Sequence, residues 1–76
     1  MKEKTVNELK LGEIGVVSKI IVEETIKRRL LDLGLIEGTN IKPVLISPSG
    51  DPKAFEVRGT LIAIREEDTE KIEIIL

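Results

Sequence analysis

Few side chains in this sequence could do chemistry, and most of those are carboxylates and guanidinium groups. The 76 residues include no His, no Cys and no Tyr, so the usual general bases and the strongest nucleophiles at neutral pH are missing. Carboxylates remain at Asp51 and over 66–68. An Asp between Gly and Pro usually hydrogen-bonds the backbone of its own turn, and acidic runs usually face solvent. The sequence therefore predicts a protein that is not an enzyme and that holds no metal ion or other cofactor.

Basic side chains offer binding rather than catalysis. Lys27, Arg28 and Arg29 follow one another directly and could meet an acidic partner surface or a phosphate, although a solvated helix face explains them as well. The net charge is −2, and Phe55 is the only aromatic residue. Because nucleic-acid binders need a basic field and often stacking platforms, we expect a protein partner rather than a nucleic acid.

Length and composition fit one small domain over residues 1–76. Hydrophobic residues make up 41% of the chain and charged residues 34%, which supports a single core under a solvated surface. The charged start, Met1 to Thr5, does not resemble a signal peptide, and no apolar run is long enough to span a membrane. We therefore expect a cytoplasmic protein that does not insert into a membrane.

One short helix is predicted over 26–33, with Thr25 as its cap. Gly34 follows the helix, as is typical of a glycine that ends one with positive φ. The helix would bury the apolar residues that fall at helical spacing, namely Ile26, Leu30 and Leu33.

The rest of the chain predicts short strands separated by turns. Segment 6–12 is expected to tuck Leu9 and Leu11 inward, and 47–52 is a surface turn. Pro43 predicts a bulge or a free edge in its strand, because proline cannot donate to a ladder. Segment 66–71 is an acidic turn or one helical turn. The predicted strands are 14–22, 40–46, 54–57, 61–64 and 72–76. These elements favour a mostly β protein, a small barrel of about five strands whose closure would remove exposed edges.

Four segments, taken in order, resemble the FeoA family (ferrous iron transport protein A). They are the stretch from Arg29 to Thr39, the turn from Ser47 to Pro52, the strand from Phe55 to Gly59, and the strand from Leu61 to Arg65. The resemblance implies an SH3-like barrel with one short α-helix inserted after the first strand. Pro43 and Asp68 depart from the family's pattern.

Membership would imply a cytoplasmic accessory or regulatory protein of ferrous iron uptake. Its partner would be the FeoB-type transporter, a membrane protein with a cytosolic GTP-binding domain. The family as a whole is also described as binding transition metal ions. Without Trp or Tyr, the chain lacks the aromatic groove that ordinary SH3 domains use. We therefore expect the partner to meet basic residues and the turn, with these candidates: Arg28, Arg29, Gly50, Asp51, Pro52, Arg58 and Arg65.

Other interpretations remain open at this point. Similar SH3-like domains form the C-terminus of iron-dependent repressors of the diphtheria toxin repressor type. The chain could therefore be a stand-alone relative of those domains. A small RNA-binding barrel is another alternative, and an arginine could reach the transporter's GTP site. We expect a monomer or a weak homo-oligomer.

Overall fold

A computed structural model describes residues 4–76, in which short antiparallel strands predominate. The elements in chain order are β1 (Lys4–Thr5), a 3-10 turn (Val6–Glu8), β2 (Gly15–Ile20), α1 (Glu24–Asp32), β3 (Asn40–Ile46), β4 (Lys53–Val57), β5 (Thr60–Ile64), α2 (Glu66–Thr69) and β6 (Ile72–Ile75). The prediction of a mostly β chain with one short helix is confirmed. The structure adds β1 at the start, and it shows that the acidic segment forms one helical turn.

The strands follow the order β1-β6-β2-β3-β4-β5, and every pairing is antiparallel. Strand β3 belongs to both halves of this sheet, since Asn40 and Ile41 pair with β2 whereas the residues from Lys42 onward pair with β4. The register shifts between Pro43 and Leu45. The bulge predicted at Pro43 is therefore present, and it follows closely after the point at which β3 changes its partner from β2 to β4.

The ladder leaves a free edge, although we expected closure to remove such edges. Strands β1 and β5 end the order, and no pairing joins them among the residues that the structure describes. Strand β1 is two residues long within the part of the chain that the structure describes. Strand β5 therefore presents the longer unpaired edge of the sheet.

The core is built from aliphatic side chains around a single aromatic ring. Strands, the 3-10 turn and α1 all contribute side chains to the core. Val22 and Ile26, near the start of α1, pack against these residues. Burying this apolar surface is the main source of stability for so short a chain. The buried residues are Val6, Leu9, Val17, Ile20, Leu30, Leu35, Ile41, Phe55, Val57, Ile62, Ile64, Ile72 and Ile74.

Helix α1 begins earlier than the sequence predicted. The helix starts at Glu24, so Thr25 lies inside it and the prediction of a Thr25 cap is wrong. The cap residue is Glu23, whose side chain makes no capping hydrogen bond. The packing of Val22 and Ile26 against the core fixes the start of the helix instead. Tertiary contacts have overridden a local capping preference here.

The helix ends as predicted at Gly34, whose φ is +96°. The Gly34 N–H donates to the Leu31 carbonyl over 3.0 Å. The Leu35 N–H donates to the Leu30 carbonyl over 2.9 Å. These two bonds form a Schellman cap, which returns the chain to the core so that Leu30 and Leu35 are both buried.

Leu11 does not point inward as expected. It is 55% exposed, whereas Leu9 is buried. Leu11 lies in a turn that Gly12 completes with φ +83°, and the Gly12 N–H donates to the Pro43 carbonyl over 2.8 Å. That turn holds the backbone against β3 and leaves the Leu11 side chain on the outside.

Candidate functional site

A groove runs between α1 and the end of β5, and we call it the α1–β5 groove. Its volume is about 390 Å³, within the range of roughly 300–1,000 Å³ typical of ligand sites. Apolar side chains and charged side chains of both signs line it together. The lining residues are Ile26, Arg29, Leu30, Pro52, Ala63, Ile64, Arg65, Glu67 and Asp68.

Three of the sequence-predicted candidates meet at this groove. Arg29 comes from α1, Pro52 from the loop before β4, and Arg65 from the residue that follows β5. These residues are far apart in the sequence, and the packing of α1 against the sheet brings them together. The structure thus groups Arg29, Pro52 and Arg65 around one concave surface.

Arg28 lies apart from Arg29. Successive residues of a helix point about 100° apart, so neighbouring side chains do not share a face. Arg29 lines the groove next to the buried Leu30, whereas the exposed Arg28 lines none of the clefts described here. The basic run in the sequence is therefore divided between two directions.

Asp51 connects the turn before β4 to α2. Its Oδ1 accepts a hydrogen bond from the Glu66 N–H over 2.8 Å, which supplies the first turn of α2 with an acceptor. The expectation that the Asp51 side chain bonds its own turn is wrong. Within that turn, the Gly50 N–H donates to the Ser47 carbonyl and the Ser49 hydroxyl donates to the Asp51 carbonyl. The Asp51 carboxylate thereby holds α2 beside the turn, with Arg65 next to the capped residue.

Replacing Asp51 tests this connection. We expect Asp51→Ala to lower the free energy of unfolding by about 1 kcal/mol, because the Glu66 N–H loses its acceptor. Asp51→Asn is the matched control, since its side-chain oxygen still accepts a hydrogen bond. Urea denaturation followed by circular dichroism measures both variants. An alanine variant as stable as the parent would show that the bond contributes nothing.

Arg58 lies on a different surface from the groove. It occupies a two-residue turn between Val57 and Thr60, which are paired across β4 and β5. Both turn residues have positive φ, +52° for Arg58 and +82° for Gly59, as a type I′ hairpin turn requires. Arg58 lines a second cleft of about 410 Å³ together with residues 36–40. The structure therefore separates Arg58 from the other candidates.

The candidate arginines are free to meet a partner. Lys42 and Glu56 form an ion pair of 3.4 Å on the outer face of the sheet. No ion pair within residues 4–76 involves Arg28, Arg29, Arg58 or Arg65. The positive charges in the α1–β5 groove are consequently not neutralised by direct contact with the acidic residues that share it.

Within 4–76, no group of three or more His, Cys, Asp or Glu side chains lies close enough to hold a metal ion. None of the helices described is both long and apolar enough to cross a bilayer.

Sequence reasoning missed that Ala63 and Ile64 would face a groove. The sequence predicts the two residues only as part of a strand, and it predicts Ile26 and Leu30 only as part of a buried helix face. The alternation of Leu61 to Ile64 did indicate that Ala63 points outward. Nothing in the sequence indicated that α1 would stand beside this strand, because that placement depends on how the sheet bends at β3.

Comparisons with known proteins agree on the family. The family model described as the FeoA domain matches residues 4–76. A curated relative from Porphyromonas gingivalis, an Fe(2+) transport protein A/FeoB fusion protein, is 29% identical over 70 residues, which are 92% of this chain and 8% of that protein. A putative Fe(2+) transport protein A from Campylobacter jejuni is 28% identical over 95% of this chain and 97% of its own length.

Solved structures support the same assignment. The FeoA protein of Chlorobium tepidum superposes with a TM-score of 0.89 at 35% identity, over 96% of this chain and 70% of that one. A zinc-bound FeoA of Stenotrophomonas maltophilia, described as a prokaryotic SH3 domain protein, gives 0.80 at 28% identity over 95% and 89%. The predicted SH3-like barrel is thus confirmed.

A manganese-dependent transcriptional repressor shares the fold, although little of the sequence. Its TM-score is 0.85 at 10% identity, and the match spans 99% of this chain and 37% of the repressor. Identity this low shows a common fold and nothing about function. The family model and the better-matched structures do identify the relationship, and the chain belongs to the FeoA family.

Proposed function

We propose that this chain is a cytoplasmic accessory protein of ferrous iron uptake that acts by binding a FeoB-type transporter. One observation carries the proposal: in the Porphyromonas gingivalis relative, the matching region forms part of an Fe(2+) transport protein A/FeoB fusion. A fusion holds two domains at a high effective concentration, which favours pairs that work in contact.

The chemistry of the chain supports binding rather than catalysis. With no His, Cys or Tyr in the sequence, proton transfer and nucleophilic attack near neutral pH lack their usual side chains. The α1–β5 groove instead combines apolar side chains with two arginines that have no ion-pair partner among the described residues. Arginines beside apolar surface are typical of residues that carry binding energy at protein interfaces.

Charge reversal on α1 tests this function. We expect Arg28→Glu combined with Arg29→Glu to weaken binding to the detergent-solubilised transporter roughly tenfold, because reversed charges repel an acidic partner surface. The two single variants show how much each arginine contributes to the loss of binding. Because Arg29 lines the groove and Arg28 does not, Arg29→Glu should account for most of the loss of binding. Pull-down at several salt concentrations measures the binding of each variant.

The control keeps the same change in net charge. Lys4→Glu combined with Lys10→Glu reverses two exposed charges outside the groove, and this pair should bind like the parent chain. Equal weakening by both pairs would indicate a general charge effect. Undiminished binding by the α1 variants would remove this face from the interface.

A further inference from the structure

Strand β5 has one edge without a partner strand. It pairs with β4 at every residue, from Val57 opposite Thr60 to Lys53 opposite Ile64, and its register shows no bulge. In the turn that joins the two strands, the first and fourth residues, Val57 and Thr60, form a hydrogen-bonded pair. Antiparallel pairs then alternate along the strands. Thr60, Ile62 and Ile64 therefore bond to β4.

Leu61 and Ala63 fall at the alternate positions, so their N–H and C=O groups point to the free edge. Neither residue makes a backbone hydrogen bond outside the sheet within the described part of the chain. Both side chains are exposed. The N–H and C=O groups of Leu61 and Ala63 are thus available to form hydrogen bonds with an additional strand.

The devices that usually protect such an edge are missing from β5. Natural sheets block an edge with Lys, Pro, bulges or very short strands. Strand β5 runs from Thr60 to Ile64 as Thr-Leu-Ile-Ala-Ile, with no charge, proline or bulge. At the opposite end of the sheet, β1 has two residues among those described, and one of them is Lys4. Only one end of the sheet is therefore protected in the usual way.

The α1–β5 groove lies alongside this unprotected edge. Ala63 and Ile64 form one wall, and Ile26 and Leu30 of α1 form the other. An edge strand next to an amphipathic helix can bind an extended peptide by strand addition, in which backbone bonds give affinity and side-chain pockets give specificity.

The charges of the groove indicate which peptide would fit. Glu67 and Asp68 lie in the first turn of α2, where negative charge is stabilised by the helix start. Arg29 lies in the last turn of α1, which stabilises a positive charge in the same way, whereas Arg65 precedes the start of α2 and has no such compensation. Neither arginine has an ion-pair partner within residues 4–76. A segment with one carboxylate side chain next to an apolar one would therefore complement both the arginines and the wall formed by α1.

We propose that an extended segment of the transporter adds to β5 as a further strand, bonds to the backbone of Leu61 and Ala63, and places a carboxylate near Arg29 and Arg65. This inference rests on the proposed function and specifies how the partner is held. The other possible occupant, β5 of a second copy of this chain, is an outcome of the test.

Amide hydrogen exchange with residue resolution tests the inference on the unmodified chain. In the free protein, the Leu61 and Ala63 amides should exchange quickly, whereas the Ile62 and Ile64 amides are already protected by β4. In complex with the solubilised transporter, exchange at Leu61 and Ala63 should slow by at least about tenfold, with little change at Ile62 and Ile64.

Each outcome decides a different point. Binding without new protection at Leu61 and Ala63 overturns the inference alone. Absence of any binding overturns the proposed function and this inference with it. Protection that appears when the chain alone is concentrated, without the transporter, overturns it in favour of self-association.

A variant tests the same edge from the other direction. Ala63→Pro removes an N–H that faces outward and leaves the ladder to β4 its bonds. We expect binding to weaken at least about tenfold, since a partner carbonyl is left unpaired.

Ile14→Pro is the control, because it places the same ring at an exposed residue outside the groove, and it should bind like the parent chain. Undiminished binding of folded Ala63→Pro overturns the inference. If Ala63→Pro does not fold, the exchange pattern of the unmodified chain decides.

Discussion

Removing Ile74 to Leu76 is expected to abolish cooperative unfolding. Strand β6 lies between β1 and β2 in the sheet, and Ile74 is paired with Lys4 on one side and with Val17 on the other. The deletion therefore shortens two ladders at once, leaving only the pairs made by Ile72 and Glu73. It also removes Ile74, which is 1% exposed, and burying one such side chain contributes about 1.5–3 kcal/mol.

The expected loss is large relative to the stability of a small domain. Native proteins are stable by about 5–15 kcal/mol, and a short chain lies at the low end because it buries a smaller fraction of its surface. Loss of a buried isoleucine, of its contacts with the neighbouring strands and of one of the two β1 pairs would remove most of that stability. The truncated chain should then lack a native state with fixed packing.

Urea denaturation of a chain ending at Glu73 measures this effect. We expect a broad, non-cooperative change in circular dichroism and poorly dispersed amide resonances. Removal of Leu76 alone is the control, because Leu76 is 59% exposed and follows β6. A sharp transition in the longer deletion would show that the remaining residues form a core without the second half of β6.

Most of the elements were predictable because their determinants are local. Gly34 ends α1, as predicted, since a residue with positive φ at that point favours glycine. Pro43 marks a bulge because it has no N–H to give to a ladder. In both cases a single residue restricts its own backbone, and no distant contact is needed to interpret the pattern.

The errors arose where a distant contact decides the outcome. Thr25 is a good cap in isolation, but the packing of Val22 and Ile26 fixes the helix start. Leu11 looks like a core residue by type, but a bond from Gly12 to Pro43 turns its side chain outward. Local preferences of about 1 kcal/mol are readily overridden by such contacts.

The candidate site was predictable in its residue types and much less in its grouping. Arg28 and Arg29 are neighbours in sequence and diverge on the helix, whereas Arg29 and Arg65 are distant in sequence and share the groove. Asp51 was expected to act within its own turn, and it bonds Glu66 instead. The sequence indicates arginines as candidate binding residues by their chemistry, whereas which of them lie together depends on how α1 packs against the sheet.

Replacing the only aromatic ring is the second large effect that we expect. Phe55 is 0% exposed and is the largest of the fully buried side chains, and it is paired with Pro43 and Ile62 in the sheet. Phe55→Ala should lower the free energy of unfolding by about 3–5 kcal/mol, because the loss of buried area and the cavity left behind both count. Urea denaturation at equilibrium measures this value.

Phe55→Leu is the matched variant that separates stability from binding. It retains most of the apolar volume, so we expect a loss of about 1–2 kcal/mol and a folded protein. Because the ring lies inside the core and cannot contact a partner, Phe55→Leu should bind the transporter as tightly as the parent chain. Recognition would then depend on arginines, aliphatic side chains and backbone groups at the surface. A folded Phe55→Leu variant that no longer binds would contradict this and would show that the binding surface depends on the shape of the core beneath β4.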